Sequence, residues 1–325
     1  MTCTRCAAPA AATDQFCEAC GTALGAAPPG WLGSGWLSSG WPGSGWPGSG
    51  WLGSGAAGGR CAHCGADASV GGYCGECGRR RGAGRDRAAL ELPDVAALTD
   101  RGRRRHANED AIAIGRTAAG AAAVVCDGVA SSPRADVAAV AACEAALPAA
   151  LRVLGDGGGA HRASEAAFDD ASAAVHALAD PAAADAPSCT YVSGIVTGDA
   201  VVVGWVGDSR AYWIPHTGAA RCLTVDDARP DRPGAPLTRW LGGDAPDVGP
   251  RVVAVAVDGP GLLLLCTDGL SRYLDGPADL TGVAGSSPAA AAQTLVGRAL
   301  AAGGVDNIAV ALLAVPRRNP GGDVP

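Results

Sequence analysis

Lysine is missing from this chain of 325 residues; all 25 basic residues are arginine. The bias points to coding rather than to a partner. Aromatic residues make up only 4%, and most Trp fall in one repeat, so a core must be built from Ala, Val, Leu and Ile. There is no excess of positive charge. The formal balance of -7 gives no reason to expect nucleic acid or an anionic membrane as partner for the whole chain. Long apolar runs are also absent: the densest, GLLLLC at 261–266, has the length of a strand and is far too short to span a bilayer. No basic-then-apolar segment opens the chain. These absences predict a soluble, cytoplasmic protein. In a reducing compartment its 13 Cys are read as thiols or metal ligands rather than disulfides.

Eight of those cysteines precede residue 80, in pairs: Cys3 with Cys6, Cys17 with Cys20, Cys61 with Cys64, Cys74 with Cys77. Each pair is Cys-x-x-Cys, and the loops between paired pairs hold ten and nine residues. Four thiolates at this spacing suit tetrahedral zinc, and fragments this small cannot fold on a core of their own. The spacing predicts two zinc ribbons, at 1–25 and 60–79, with one structural zinc each. Between them, at 26–59, lie five Trp-led pentads rich in Gly, Ser and Pro. That composition resists packing and reads as a flexible linker, with an aromatic docking motif as the less favoured reading. An Arg-rich stretch at 80–92 reads as a basic linker. Residues 1–90 carry seven Arg against five acids. Two four-thiolate zinc sites, each adding about -2, would leave that region with no phosphate-binding footprint.

Past residue 92 the pattern changes to a compact domain, placed at 93–317 with a tail at 318–325. Apolar runs predict strands at 111–114, 121–126, 190–196, 200–206, 211–214, 252–257, 262–266 and 308–315. Helices are predicted at 135–154, interrupted at Pro148, and at 164–179 and 288–302. Several strands follow one another through short turns, which favours antiparallel sheets in an α+β domain over a doubly wound one.

One design recurs: an Asp at the boundary of an apolar run, beside a small or polar residue. It occurs in VVCDG (Asp127-Gly128), VGDSR (Asp208), LLLLCTDG (Asp268) and GVDNIAVALL (Asp306). RRRHANEDAIAI places Arg105, Glu109 and Asp110 ahead of a strand. Any one of these alone is ordinary turn chemistry. Several converging at one sheet end would repel unless cations neutralised them, and oxygen-only ligands select magnesium or manganese over zinc.

In their order R-x-x-N-E-D-A, D-G, G-D-S-R-x-Y, L-T-x-D, L-L-C-x-D-G-L and D-N-I-x-V, these motifs resemble the bacterial metal-dependent type 2C (PPM family) serine/threonine protein phosphatases. The resemblance covers about two thirds of the chain, and the double zinc ribbon ahead of it fits a known arrangement. It implies a β-sandwich of two antiparallel sheets flanked by helices. It also implies two manganese or magnesium ions, with a weaker third. By motif position, Asp127 bridges the two ions and the Gly128 carbonyl ligates the second. Asp268 and Asp306 hold the first, and Asp208 shares the third site with Asp268. Glu109 and Asp110 steer metal-bound waters, and Arg105 clamps the phosphoryl oxygens. Catalysis would rest on Arg105, Glu109, Asp110, Asp127 and Asp268, with no Ser or Cys nucleophile. Thr190 and Ser209 are read as structural, and Cys126, Cys143, Cys189, Cys222 and Cys266 as small core residues.

The pattern departs from the family in two places. Val129-Ala130-Ser131-Ser132 follows Asp127-Gly128 where relatives usually carry His or Met and a Gly pair. The segment between Asp227 and LTRWLGGD is short, which predicts a reduced flap and a more open cleft. The implied function is hydrolysis of phosphoserine and phosphothreonine in proteins, opposing a bacterial serine/threonine kinase, with the ribbons docking protein partners. Two alternatives compete: a catalytically weak domain that binds phosphoprotein or serves as a scaffold, and nucleic-acid binding through the ribbons, which the charge balance argues against.

Overall fold

The computed structural model describes residues 86–198, 200–229, 236–245, 249–257 and 259–316. It also describes the backbone of two short strands, β1 (Ser69–Val70) and β2 (Tyr73–Cys74), which pair antiparallel. The remaining ribbon cysteines, the Trp pentads, most of the basic linker and the tail lie outside the described residues.

The domain opens with the hairpins β3 (Arg87–Leu92)–β4 (Val95–Asp100) and β5 (Ala111–Thr117)–β6 (Gly120–Cys126). Two helices follow, α1 (Ala135–Gly155) and α2 (Ala160–His176). Then come β7 (Ser188–Cys189), β8 (Tyr191–Thr197), β9 (Val201–Val206), β10 (Arg210–Pro215) and β11 (Arg221–Cys222). The chain continues through β12 (Leu241–Gly242), β13 (Arg251–Val255) and β14 (Gly261–Cys266). It closes with α3 (Asp268–Ser271), a 3-10 helix over Pro277–Val283, α4 (Pro288–Ala301) and β15 (Ile308–Val315).

Two large antiparallel sheets result, beside a short two-stranded pairing of β7 with β12. One has six strands in the order β11-β10-β14-β15-β4-β3, the other five in the order β13-β9-β8-β6-β5. Their facing sides share a core of Ala123, Val125, Val192, Val203, Leu263, Leu265, Ala311 and Leu313, among others. The outer side of the five-stranded sheet is covered by α1 and α2, that of the six-stranded sheet by α3 and α4. This is the α+β sandwich expected from the sequence.

Central strands are buried on both faces and so read as unbroken apolar runs. In β14, Leu263 and Leu265 enter the inter-sheet core while Leu262, Leu264 and Cys266 pack under the helices. Each fully buried Leu stabilises the fold by about 2 kcal/mol relative to exposure. In β6, Val125 points between the sheets and Cys126 toward α1, with Asp127 the first residue past the ladder.

Several boundaries differ from the expected ones. β3 takes 87–92 out of the basic linker and pairs them with β4, where Arg87 meets Asp100 at 2.5 Å. Pro148 does not interrupt α1; it lies on the exposed face, while Leu147 and Leu151 hold the buried face. By length and composition α1 could cross a membrane, with a mean hydropathy of 1.7, yet 56% of that window is buried inside the domain. Its apolarity is that of a core helix. Cys222 is also not a core residue: it is exposed on β11, a two-residue strand at the sheet edge, whereas Cys126, Cys143, Cys189 and Cys266 are buried.

Candidate metal centre

Because neighbouring strands run antiparallel, a single end of the sandwich collects alternate strand starts and strand ends. Ala111 pairs with Cys126, Tyr191 with Val206, Arg210 with Cys266, and Cys266 with Val310. Asp110 therefore precedes β5 beside Asp127, which follows β6. Asp208 sits in the β9–β10 turn, Asp268 follows β14, and Asp306 precedes β15. Glu109 and Arg105 arrive on the loop leaving β4, at the same end.

Backbone approach is close here. A side chain on Gly128 would meet the Ala135 carbonyl carbon and oxygen at 2.8 Å, so only glycine lets the loop after Asp127 lie against the start of α1. The Gly128 amide donates to the Glu109 carbonyl at 3.2 Å, and Gly128 bridges to Cys189. Thr190 and Ser209 are structural, as expected. The Thr190 Oγ1 accepts the Asp127 amide at 3.1 Å and pairs with the Ser209 Oγ at 2.7 Å; both residues are buried.

The carboxylates load one another electrostatically. Burial pushes the Asp127 carboxyl well above the usual carboxylate range, and the charges of Asp110, Asp268, Asp208 and Asp306 push it further. Burial raises Asp110 in the same way, against an opposing hydrogen bond from Thr267, whose Oγ1 donates to the Asp110 Oδ2 at 2.9 Å. The other Asp110 oxygen, Oδ1, is buried with no partner. Burial, with Asp268 and Asp226 nearby, pushes Asp208 up to about 6. Burial also raises Asp268 and Glu109, opposed by Arg272 and Arg105 respectively.

An unpartnered buried carboxylate oxygen and mutually repelling acids are what divalent cations relieve, and the donors are hard oxygens. The residues fit a manganese or magnesium centre. Among the described residues no three such side chains are drawn into a closed ligand cage. Guanidinium groups hold two of the carboxylates instead. The Arg105 Nε meets the Asp306 Oδ1 at 2.6 Å, and its Nη1 lies 4.0 Å from Glu109. The Arg272 Nη2 meets the Asp306 Oδ2 at 2.9 Å and also pairs with the Asp268 Oδ2.

Three contributors escaped the sequence reading. Arg272 carries no motif, although its position four residues after Asp268 would place it one helical turn away. Thr267 lies inside LLLLCTDG and joins Asp110 to the end of β14. Asn307 lies inside the D-N-I motif but had no role assigned. Its Oδ1 accepts the Glu109 amide at 2.9 Å, and its Nδ2 donates to the carbonyls of Arg101 at 2.8 Å and Ala107 at 2.9 Å. This one buried amide ties the Arg105-bearing loop to β15. Asn307→Ala strands three backbone groups and should cost about 2–3 kcal/mol. Calorimetry should show a lowered melting temperature, and turnover should fall with it; an unchanged melting temperature would refute the role.

Elsewhere the loop between Asp227 and Leu237 closes at a bridge from Ala228 to Leu237. The Asp227 carboxylate accepts from Arg251 and the Gly207 amide. Residues 230–235, where the short flap was expected, lie outside the described residues.

Acidic residues and an arginine are thus gathered at one end of a two-sheet sandwich. The protein phosphatase 2C model matches residues 99–297, more than half of the chain, and the chain belongs to that family. The double zinc ribbon model matches residues 3–78, which hold all eight paired cysteines. No curated protein sequence matches significantly. Among solved structures, the catalytic domain of the serine/threonine protein phosphatase PstP, in complex with two manganese ions, is 27% identical. The match covers 68% of this chain and 97% of that one, with a TM-score of 0.56. The PPM Ser-Thr phosphatase MsPP from Mycobacterium smegmatis is 25% identical over 70% of this chain and all of that one, with a TM-score of 0.56. Stp1 from Staphylococcus aureus shares the fold, with a TM-score of 0.58 over 69% of this chain and 96% of that one, at 23% identity.

Proposed function

We propose that this chain is a metal-dependent protein phosphatase that hydrolyses phosphoserine and phosphothreonine in proteins. The observation that carries this reading is the gathering of Asp110, Asp127, Asp208, Asp268 and Asp306 at one end of the sandwich, with Arg105 on Asp306. Asp127, the Gly128 carbonyl, Asp268 and Asp306 would hold two divalent ions, and Asp208 with Asp268 a third. When bound, the ions supply a water of lowered pKa and offset charge on the phosphoryl group. The two manganese ions in the PstP structure favour manganese at this site.

The chain's own residues do the rest. Arg105 presents a planar fork suited to tetrahedral phosphoryl oxygens. Asp110, bonded by Thr267, and Glu109, whose amide is bonded by Asn307, would orient water at the ions. Val129 offers no proton to a leaving alkoxide, so the proton must come from water or another group. The site is tested by manganese-dependent phosphate release from a phosphothreonine peptide. A binding-only domain would release no more than its Asp127→Asn variant does.

The ribbons would be docking modules for protein partners, and a bacterial serine/threonine kinase or its substrates, in the cytoplasm, are the natural counterpart. Metal analysis of the purified chain should find two tightly held zinc ions, lost when Cys61 and Cys64 become Ser along with Cys3 and Cys6. Finding none would overturn the zinc assignment.

A further inference from the structure

Arg272 has no part in the phosphatase mechanism, yet among the described residues it is the one side chain paired with both carboxylates assigned to the first metal ion. Its Nη2 meets the Asp306 Oδ2 at 2.9 Å and pairs with the Asp268 Oδ2. Its Nε donates to the Asp268 main-chain carbonyl at 3.2 Å, and its amide closes the α3 turn onto the same carbonyl at 3.0 Å. The guanidinium is thus tethered one helical turn from a ligand, with about a third of its side chain exposed. Arg105 differs: of these two carboxylates it pairs with Asp306, through Oδ1.

We propose that Arg272 is an intramolecular cation that competes with the first divalent ion for Asp268 and Asp306, and so sets the metal concentration at which the enzyme loads. A cation bridging these two carboxylates must take the oxygens that the Arg272 Nη2 now holds. A tethered group competes at a high local concentration and raises the apparent dissociation constant of the ion. The same contacts offset repulsion between the two carboxylates when metal is scarce. Arg272 is therefore a positioning and tuning residue rather than a catalytic one. The inference rests on the metal reading of this site.

The test is calorimetric titration of manganese into the full, zinc-loaded chain, alongside thermal melting without manganese. Arg272→Gln should bind manganese about tenfold tighter, a difference of about 1.4 kcal/mol, and its manganese-free form should melt lower than wild type. Equal or weaker binding by the variant would overturn the proposal and make Arg272 a support for the bound ion. If Arg272→Gln does not fold without manganese, Arg272→Lys decides. Lysine keeps the charge but loses the planar fork, so tighter binding with a lower melting temperature supports the proposal and unchanged binding overturns it. A wild-type chain that binds no manganese would instead remove the metal reading itself, an outcome distinct from either of these.

Discussion

Asp127→Asn and Asp268→Asn should each reduce manganese-dependent release of phosphate from a phosphothreonine peptide by on the order of a thousandfold or more. Metal ions at such a centre contribute several kcal/mol to phosphoryl transfer, and each 1.4 kcal/mol or so is a factor of ten in rate. The stability effect of Asp127→Asn runs the opposite way. Burial and four neighbouring acids raise the Asp127 carboxyl well above its ordinary range. A group raised in the fold favours folding when protonated, and that stability is lost as pH rises through its folded pKa. At neutral pH the metal-free wild type therefore carries a penalty that asparagine lacks, and the variant should melt higher without metal. Added manganese should stabilise wild type more than the variant. An Asp127→Asn chain that is both inactive and markedly less stable without metal would show that the carboxylate is structural.

The second large effect is expected at Gly269. A Cβ there would lie 1.7 Å from the Asn307 carbonyl oxygen and 2.8 Å from its carbon, a backbone contact that no rotamer relieves. The absent side chain lets the start of α3 lie against the residue before β15, which brings Asp268 and Asp306 within reach of one guanidinium. Gly269→Ala must push these segments apart at a cost of about 3 kcal/mol or more. That corresponds to a fall of about 6–12 °C in melting temperature for a domain of this size. Manganese affinity should collapse with it, because two ligands separate together. Wild-type melting and affinity in this variant would contradict the packing described.

The same pair of segments shows how far the sequence could be read. LLLLCTDG announces a strand buried on both faces that ends in a carboxylate, and GVDNIAVALL announces another that begins with one. The runs at β5, β6, β8, β9, β14 and β15 were legible because burial on both faces leaves few polar residues to break them. β3 and β4 were not. β3 is an edge strand carrying Arg87 and Glu91, and β4 ends in the buried polar residues Thr99 and Asp100. Their partners are the Asn108 amide for Thr99 and, for Asp100, Arg87 on β3 and the Gly102 amide of the turn that follows.

By itself, the sequence determined that this chain has two Cys-x-x-Cys pair sets and an antiparallel α+β domain, with carboxylates at its strand boundaries in the order of a phosphatase family. Strand burial and turn chemistry are local, and local chemistry is written in consecutive residues. Only the tertiary structure decided that those carboxylates share one end of the sandwich, because strand direction and register depend on pairing between distant segments. It also decided that Asn307 holds the Arg105 loop and that Arg272 spans Asp268 and Asp306. Those contacts depend on how closely two backbones approach at Gly269, whose packing against the Asn307 carbonyl the motif LLLLCTDG does not reveal.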